Sequence, residues 1–212
     1  NNSRLSNGMR AAGLMRRALT EATFVAQHRR AFGKRLIDMP LMRRQLTKMT
    51  VWTEQARSIM LQTAQALSAA DQGKGDPALA RILTPLIKFR ACRDARKVTG
   101  DGMEVRGGCG YIEEWTEPRL LRDAHLGSIW EGTSNIVALD VLRAIRKEGS
   151  LPAIKHHIGA LLDEGLPCAA PLADLQARSL EQAYALAQHA ADQDRAIGSA
   201  HVCTPVQLGP RM

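Results

Sequence analysis

One carboxylate, Glu131, sits in the stretch Ser128-Ile129-Trp130-Glu131-Gly132-Thr133-Ser134-Asn135-Ile136, just ahead of hydroxyl and amide side chains able to start a helix. A helix N-terminus carries partial positive charge that favours a carboxylate, whereas burial disfavours one. A base that takes a proton from carbon needs both influences, because it must be ionised yet dry enough to react. A turn of this composition can hold Glu131 at the mouth of a pocket on those terms. An exposed acid that only complements a helix N-terminus would have the same sequence, and that alternative stays open.

Two further clusters suit anions and flat rings. Gly107-Gly108-Cys109-Gly110 offers backbone N–H groups with little side-chain cover, as in loops that cradle pyrophosphate, or else a plain helix C-cap and turn. No strand precedes it, so it is not a dinucleotide GxGxxG fingerprint. Arg29-Arg30-Ala31-Phe32-Gly33-Lys34-Arg35 combines guanidinium forks that grip phosphate with a ring that can stack on another. Its alternative is a basic helix end with Phe32 buried in a core. His156-His157 diverge on a helix, which argues against a shared metal, and no metal site is expected. Glu113-Glu114 reads as a solvated turn, and Arg122-Asp123 as structural hydrogen bonding behind the Glu131 turn.

Helices must position these groups. Leu5, Met9, Ala12, Leu14, Leu19, Ala22, Phe24 and Ala26 predict a long helix over 3–30 with one broad apolar side. Gly8 and Gly13 within it suit a close neighbour. A connector over 31–39 follows, with Gly33 as a helix stop. Pro40 opens a second helix over 40–71, and Asp76-Pro77 caps a third over 77–103 that Pro85 is expected to kink. A brief helix over 118–124 precedes the Glu131 turn, and another spans 134–147. These elements predict an all-α fold: an antiparallel four-helix bundle over 1–148 and a helical extension over 149–212. The extension reads as helices over 152–164 and 171–197 with a frayed tail.

The composition agrees with this picture. The chain has 212 residues, 45% hydrophobic but only 4% aromatic, which favours helix over sheet in a globular chain. The net charge of +8 is concentrated in residues 1–60 at +9, with +1 over 61–148 and −2 over 149–212. The basic first third suits phosphates of a cofactor, of coenzyme A or of nucleic acid, or is a solvated surface. Cys92, Cys109, Cys168 and Cys203 form no CxxC pair and suit a reducing cytoplasm. No run of about 20 apolar residues occurs, so no membrane partner is expected. The chain starts at Asn1 and enters a helical pattern almost at once, which suggests that something precedes it in the gene product.

Arg29-x-x-Phe32-Gly33, Gly107-Gly108-x-Gly110-Tyr111 and Trp130-Glu131-Gly132-Thr133-Ser134-Asn135 occur in this order across residues 1–147. Together they resemble the C-terminal domain of the acyl-CoA dehydrogenase family. Members are flavoproteins with an N-terminal helical domain, a middle β-domain and a C-terminal four-helix domain, so the chain is expected to be one part of a larger protein. The resemblance implies that Glu131 is the base taking the α-proton of an acyl-CoA thioester, with the β-hydride passing to the flavin of FAD. It implies that the Glu131 N–H polarises the thioester carbonyl. Thr133 and Asn135 match positions that hold FAD, while Arg29, Phe32, Gly107 and Gly108 match positions that reach the FAD of a neighbouring subunit. A homo-oligomer, dimer or tetramer, follows from that sharing, with an electron acceptor of unspecified kind. Some members carry the base on the first long helix; the matching position here is Ser3, which cannot serve. Arg4, Trp130 and Gly132 are expected to line the substrate cavity.

Trp130 stands where many members have Tyr, and Glu104 where many have a Gln that contacts the flavin nucleotide. These residues, Glu113-Glu114, Asp140-Val141-Leu142-Arg143 and the extra length resemble the adaptive-response, alkylation-induced branch. That branch binds double-stranded DNA through basic residues of its added region and has weak dehydrogenase activity. Here the corresponding region sums to −2, so DNA binding, or protection with a vestigial Glu131, is the alternative to a dehydrogenase. The isolated domain is expected to self-associate and show little turnover.

Overall fold

In a computed structural model of the chain, residues 2–163 and 170–197 are described, with side chains omitted for 170–173 and 194–197. Cys168, Cys203 and the expected tail lie outside them. Seven α-helices make up the described fold: α1 (Asn2–His28), α2 (Pro40–Asp71), α3 (Pro77–Arg106), α4 (Glu117–Gly127), α5 (Ser134–Glu148), α6 (Ser150–Asp163) and α7 (Ala170–Ile197).

The helix boundaries follow from local chemistry. Pro40 occupies the first turn of α2 behind an extended Met39. The Asp76 carboxylate accepts the Ala78 N–H at 2.8 Å and so caps α3, with Pro77 at the first position. Gly149, at φ 61°, ends α5 in the left-handed region that a helix C-terminus favours.

Helices α1, α2 and α3 pack against one another; α4 closes on α1 and α3, and α5 on α3. The buried side of α1 is built mainly from small residues, Ala11, Ala12, Ala18, Ala22 and Ala26, with Met15 and Val25. Met9 and Phe24, expected on that side, are more than half exposed. Where α1 meets α2 and α3 the buried positions are mostly alanines, with Met15 fully buried among them. Gly8 shows the closeness, since a Cβ there would lie 2.5 Å from Ile87 Cγ1. Gly13 faces open space, so the expected close neighbour is absent at that glycine. Pro85 is buried within α3 without ending the helix, which runs on to Arg106.

Two ionic knots tie the ends. Arg106, at the end of α3, bonds to the deeply buried Glu117 of α4 and to Glu21 of α1 at 3.0 Å. Arg81 of α3 grips Asp140 of α5 at 2.7 Å, and Arg4 of α1 bonds to the same carboxylate. A second core of Ile82, Ile145, Leu151 and Ala191 joins α6 and α7 to α3 and α5. Among the described residues no helix is long and apolar enough to cross a membrane.

Candidate functional site

The Glu131 turn is assembled from the inside outward. Helix α4 ends against α3: the buried Ser128 Oγ donates to the Cys92 carbonyl at 3.1 Å, and a Cβ on Gly127 would lie 3.2 Å from Cys92 Sγ. The Ile129 and Trp130 N–H groups both bond back to the Leu126 carbonyl. Two left-handed residues follow, Glu131 at φ 56° and Gly132 at φ 99°. Gly132 tolerates this conformation, whereas Glu131 is strained by it.

Lys88 holds the strained pair. It is 1% exposed, on α3, and its ammonium donates to the Trp130 carbonyl at 3.0 Å and to the Gly132 carbonyl. Burial pushes its pKa below the ordinary lysine value, an effect that the nearby Glu131 carboxylate opposes. Helix α5 then starts from an extended Thr133, whose carbonyl accepts the Val137 N–H at 3.0 Å. The Thr133 hydroxyl makes no capping bond, although the sequence offered it as a helix starter.

The first turns of α1 line the same place. Ser3 Oγ donates to Glu131 Oε2 at 3.3 Å, Asn7 Oδ1 accepts the Trp130 Nε1–H at 2.7 Å, and the Arg10 guanidinium lies 5.4 Å from the Trp130 ring centre. The spacing of Ser3, Asn7 and Arg10 places them on one helix face. Arg4 is adjacent but commits its guanidinium to Asp140. Glu131 itself is exposed, among the uncovered apolar side chains Ile129, Trp130, Ile136 and Leu139. Sequence reasoning missed Lys88, Asn7 and Arg10. The available signal was a lysine inside the apolar run Pro85-Leu86-Ile87-Lys88-Phe89.

Arg29, Phe32, Gly107 and Gly108 gather elsewhere. Helix α1 ends at His28, and the chain reverses through β1 (Arg30–Ala31) and β2 (Lys34–Arg35), an antiparallel pair with Arg30 opposite Arg35. Phe32 and Gly33, at φ 51° and 76°, form the tip, so Gly33 serves a hairpin rather than a helix stop. The Phe32 ring is 96% exposed and is not a core residue. Arg29 Nη1 donates to the Arg106 carbonyl at 2.7 Å, beside Gly107, which has φ 76°. A Cβ on Gly107 would lie 3.0 Å from that Nη1, whereas Gly108 opens onto free space. Tyr111 and Trp115 stand exposed next to this loop, and Glu104 is exposed nearby in sequence.

The predicted residues therefore form two groups. Arg4, Trp130, Glu131, Gly132, Thr133 and Asn135 lie at one end, and Arg29, Phe32, Gly107 and Gly108 at the other. Ser3 and His28 mark the ends of α1, roughly 38 Å apart at 1.5 Å per residue. Arg122, expected behind the Glu131 turn, instead pairs with Glu113 through both terminal guanidinium nitrogens, which also gives Glu113 a partner. The Asp123 backbone carbonyl, by contrast, does receive the Arg10 guanidinium, at 3.3 Å.

The structure is thus an all-helical bundle with one strained glutamate at the turn between α4 and α5. The family model for the acyl-CoA dehydrogenase C-terminal domain matches residues 1–146, and the chain belongs to that family. It is 39% identical over 138 residues to AidB of Escherichia coli (strain K12), covering 65% of this chain and 25% of AidB. It is 35% identical over 166 residues to acyl-CoA dehydrogenase family member 11 of Caenorhabditis elegans, covering 76% of this chain and 27% of the relative. The chain thus spans about a quarter of the length of these relatives. The C. elegans ACDH-11 structure in complex with C11-CoA superposes with a TM-score of 0.72, at 35% identity over 76% of this chain and 28% of that one. The Bd2924 apo-form gives 0.71 at 30% identity, over 87% and 40%.

Proposed function

We propose that this chain is the C-terminal part of an FAD-dependent acyl-CoA dehydrogenase, a bundle over 1–148 with an extension over 149–212, and that Glu131 takes the α-proton of an acyl-CoA thioester. One observation carries the reading: an exposed carboxylate stands on a strained turn that is fixed from the core and set among uncovered apolar side chains. A thioester with a hydrocarbon chain is the substrate such a surface suits, and the relative solved with C11-CoA supports it.

Within this reading Ser3 Oγ occupies one carboxylate oxygen and leaves the other to receive the proton. The Glu131 N–H stabilises charge developing on the thioester oxygen. FAD, when bound, accepts the β-hydride. The residues fit that cofactor in two halves: Thr133 and Asn135 beside Glu131, and an arginine, two glycines and an exposed ring at the far end of α1. Ends roughly 38 Å apart suit two copies that each complete the other's site. Glu131 and the residues bound to it remove the proton, and the other half retains the cofactor.

The test uses the full-length gene product, titrated anaerobically with short, long and branched acyl-CoAs while flavin absorbance is followed. Bleaching by one class, lost in Glu131→Gln, is expected. A flavin that no thioester reduces would overturn the reading. Duplex DNA binding with a steep salt dependence would then favour the adaptive-response alternative.

A further inference from the structure

Trp130 and Glu131 share a peptide group, and Lys88 bonds to the oxygen of that group. The C=O of one residue and the N–H of the next are conjugated through the partial double bond of the amide. A cation on the oxygen draws electron density from the nitrogen and makes the N–H a stronger donor. We infer that Lys88 polarises the Trp130–Glu131 peptide and so strengthens the Glu131 N–H as the donor to a substrate carbonyl. This rests on the reading of Glu131 as the residue facing the thioester.

Three observations support it. Among the described residues no carbonyl accepts the Glu131 N–H, although the two N–H groups before it both bond to Leu126. That leaves the donor free for a ligand. The Lys88 ammonium is almost completely buried, so little water screens its effect on the peptide. Its second bond, to the Gly132 carbonyl, anchors the next peptide as well. Glu131 is therefore held between two fixed carbonyls, which sets the direction of its N–H. A lysine that only satisfied buried acceptors would hold the turn but would not need to alter the electronic state of a bound thioester.

Lys88 is by this account a positioning residue, acting on substrate through the backbone of Glu131. The experiment uses the full-length, flavin-bearing protein and a 2,2-dimethylacyl-CoA, which has no α-proton to lose and so cannot be oxidised, labelled with carbon-13 at the thioester carbonyl. Isotope-edited infrared spectra of the bound analogue report carbonyl polarisation without turnover. In the wild type the stretch should fall below its frequency in water. Lys88→Met, close in length and uncharged, should move it back toward the unbound value. The same variant should lower kcat by about 10- to 100-fold with KM changed less than about 3-fold, the pattern for loss of an interaction made mainly in the transition state. Glu131→Gln should abolish flavin reduction yet keep the wild-type stretch, because it leaves the N–H in place.

Lys88→Gln keeps a hydrogen-bond donor and loses the charge, so it decides the matter should Lys88→Met not fold; an intermediate frequency is expected. A folded Lys88→Met or Lys88→Gln protein with the wild-type stretch would overturn the inference, even if kcat had fallen. A wild-type protein that binds the analogue with a lowered stretch but whose flavin no acyl-CoA reduces would defeat the dehydrogenase reading and leave the polarisation standing.

Discussion

The chain contains two turns of the same backbone type with opposite surroundings. Glu131–Gly132 and Phe32–Gly33 each pair a strained left-handed residue with a left-handed glycine. A non-glycine residue in that region costs on the order of 1 kcal/mol. At Glu131 the chain itself supplies the support: Lys88 from below, Ser128 at the entry, and Val137 packed under Gly132. At Phe32 the strain is met only by a hairpin of two-residue strands, and the ring projects into solvent. A strained turn braced from within fixes a side chain for use by its own chain. The other turn holds an aromatic ring outward without a brace from this chain, as the shared cofactor site proposed above requires.

The largest expected effect comes from removing the brace. Lys88→Ala leaves the Trp130 and Gly132 carbonyls without their donor, and relief of the buried charge offsets part of the loss. A net fall of about 2–4 kcal/mol in unfolding free energy is expected from urea denaturation of the isolated chain. A fall below about 0.5 kcal/mol would mean that the turn stands without Lys88.

Next in size is the acid dependence of the Arg4–Asp140–Arg81 knot, which ties the Ser3 end of α1 to α5. Burial disfavours the Asp140 carboxylate, but bonds from Arg81 and Arg4 outweigh it and hold its pKa below the ordinary value of 3.8. The folded form therefore keeps Asp140 charged where the unfolded form takes up a proton. The stability so contributed is complete above about pH 5 and is lost as pH falls through 3.8 toward the folded value. Asp140→Asn should flatten stability over that acid range, as measured by urea midpoints in steps of half a pH unit. An unchanged acid limb would show that the knot adds nothing. Native-state hydrogen exchange at low pH should rise at the Glu131 turn before the α2–α3 contact, which the knot does not brace.

Much of this frame was legible in the sequence because caps are local. Pro40 and Asp76-Pro77 act within one turn of themselves, and the helices start as their chemistry requires. The Glu131 turn and the arginine–phenylalanine–glycine stretch were legible as motifs, but the hairpin that the latter forms was not. What escaped depends on contacts between residues far apart in the chain. Met9 and Phe24 look like core residues on a helical wheel, but where α1 meets α2 and α3 it buries mainly its alanines and Met15 instead. Lys88 gains its role only when α4 runs back along α3 and brings the Trp130 carbonyl, 42 residues away, over its ammonium. Periodicity cannot show that, although a lysine inside an apolar run is the trace it leaves.

Smaller changes at the glycines sharpen the comparison. Gly132→Ala places a methyl 3.4 Å from Val137 Cγ2 at φ 99°, whereas Gly33→Ala meets nothing within 4 Å at φ 76°. Both carry left-handed strain, so each should cost about 1 kcal/mol, with Gly132→Ala the more costly by roughly 0.5 kcal/mol for packing. Equal losses would place the two turns in equivalent surroundings.

The smallest effect is the most diagnostic. Asparagine adopts the left-handed region more readily than phenylalanine, and Phe32 buries almost nothing in this chain. Phe32→Asn should therefore stabilise the isolated 212-residue chain by about 0.5 kcal/mol, read as a small rise in Tm. In the full-length protein the same substitution should weaken flavin retention, measured as flavin lost on dialysis, because the ring is then missing from the neighbour's half-site. A gain in the part and a loss in the whole is the signature of strain kept for a partner. A loss in both would mean that Phe32 serves this chain's own fold.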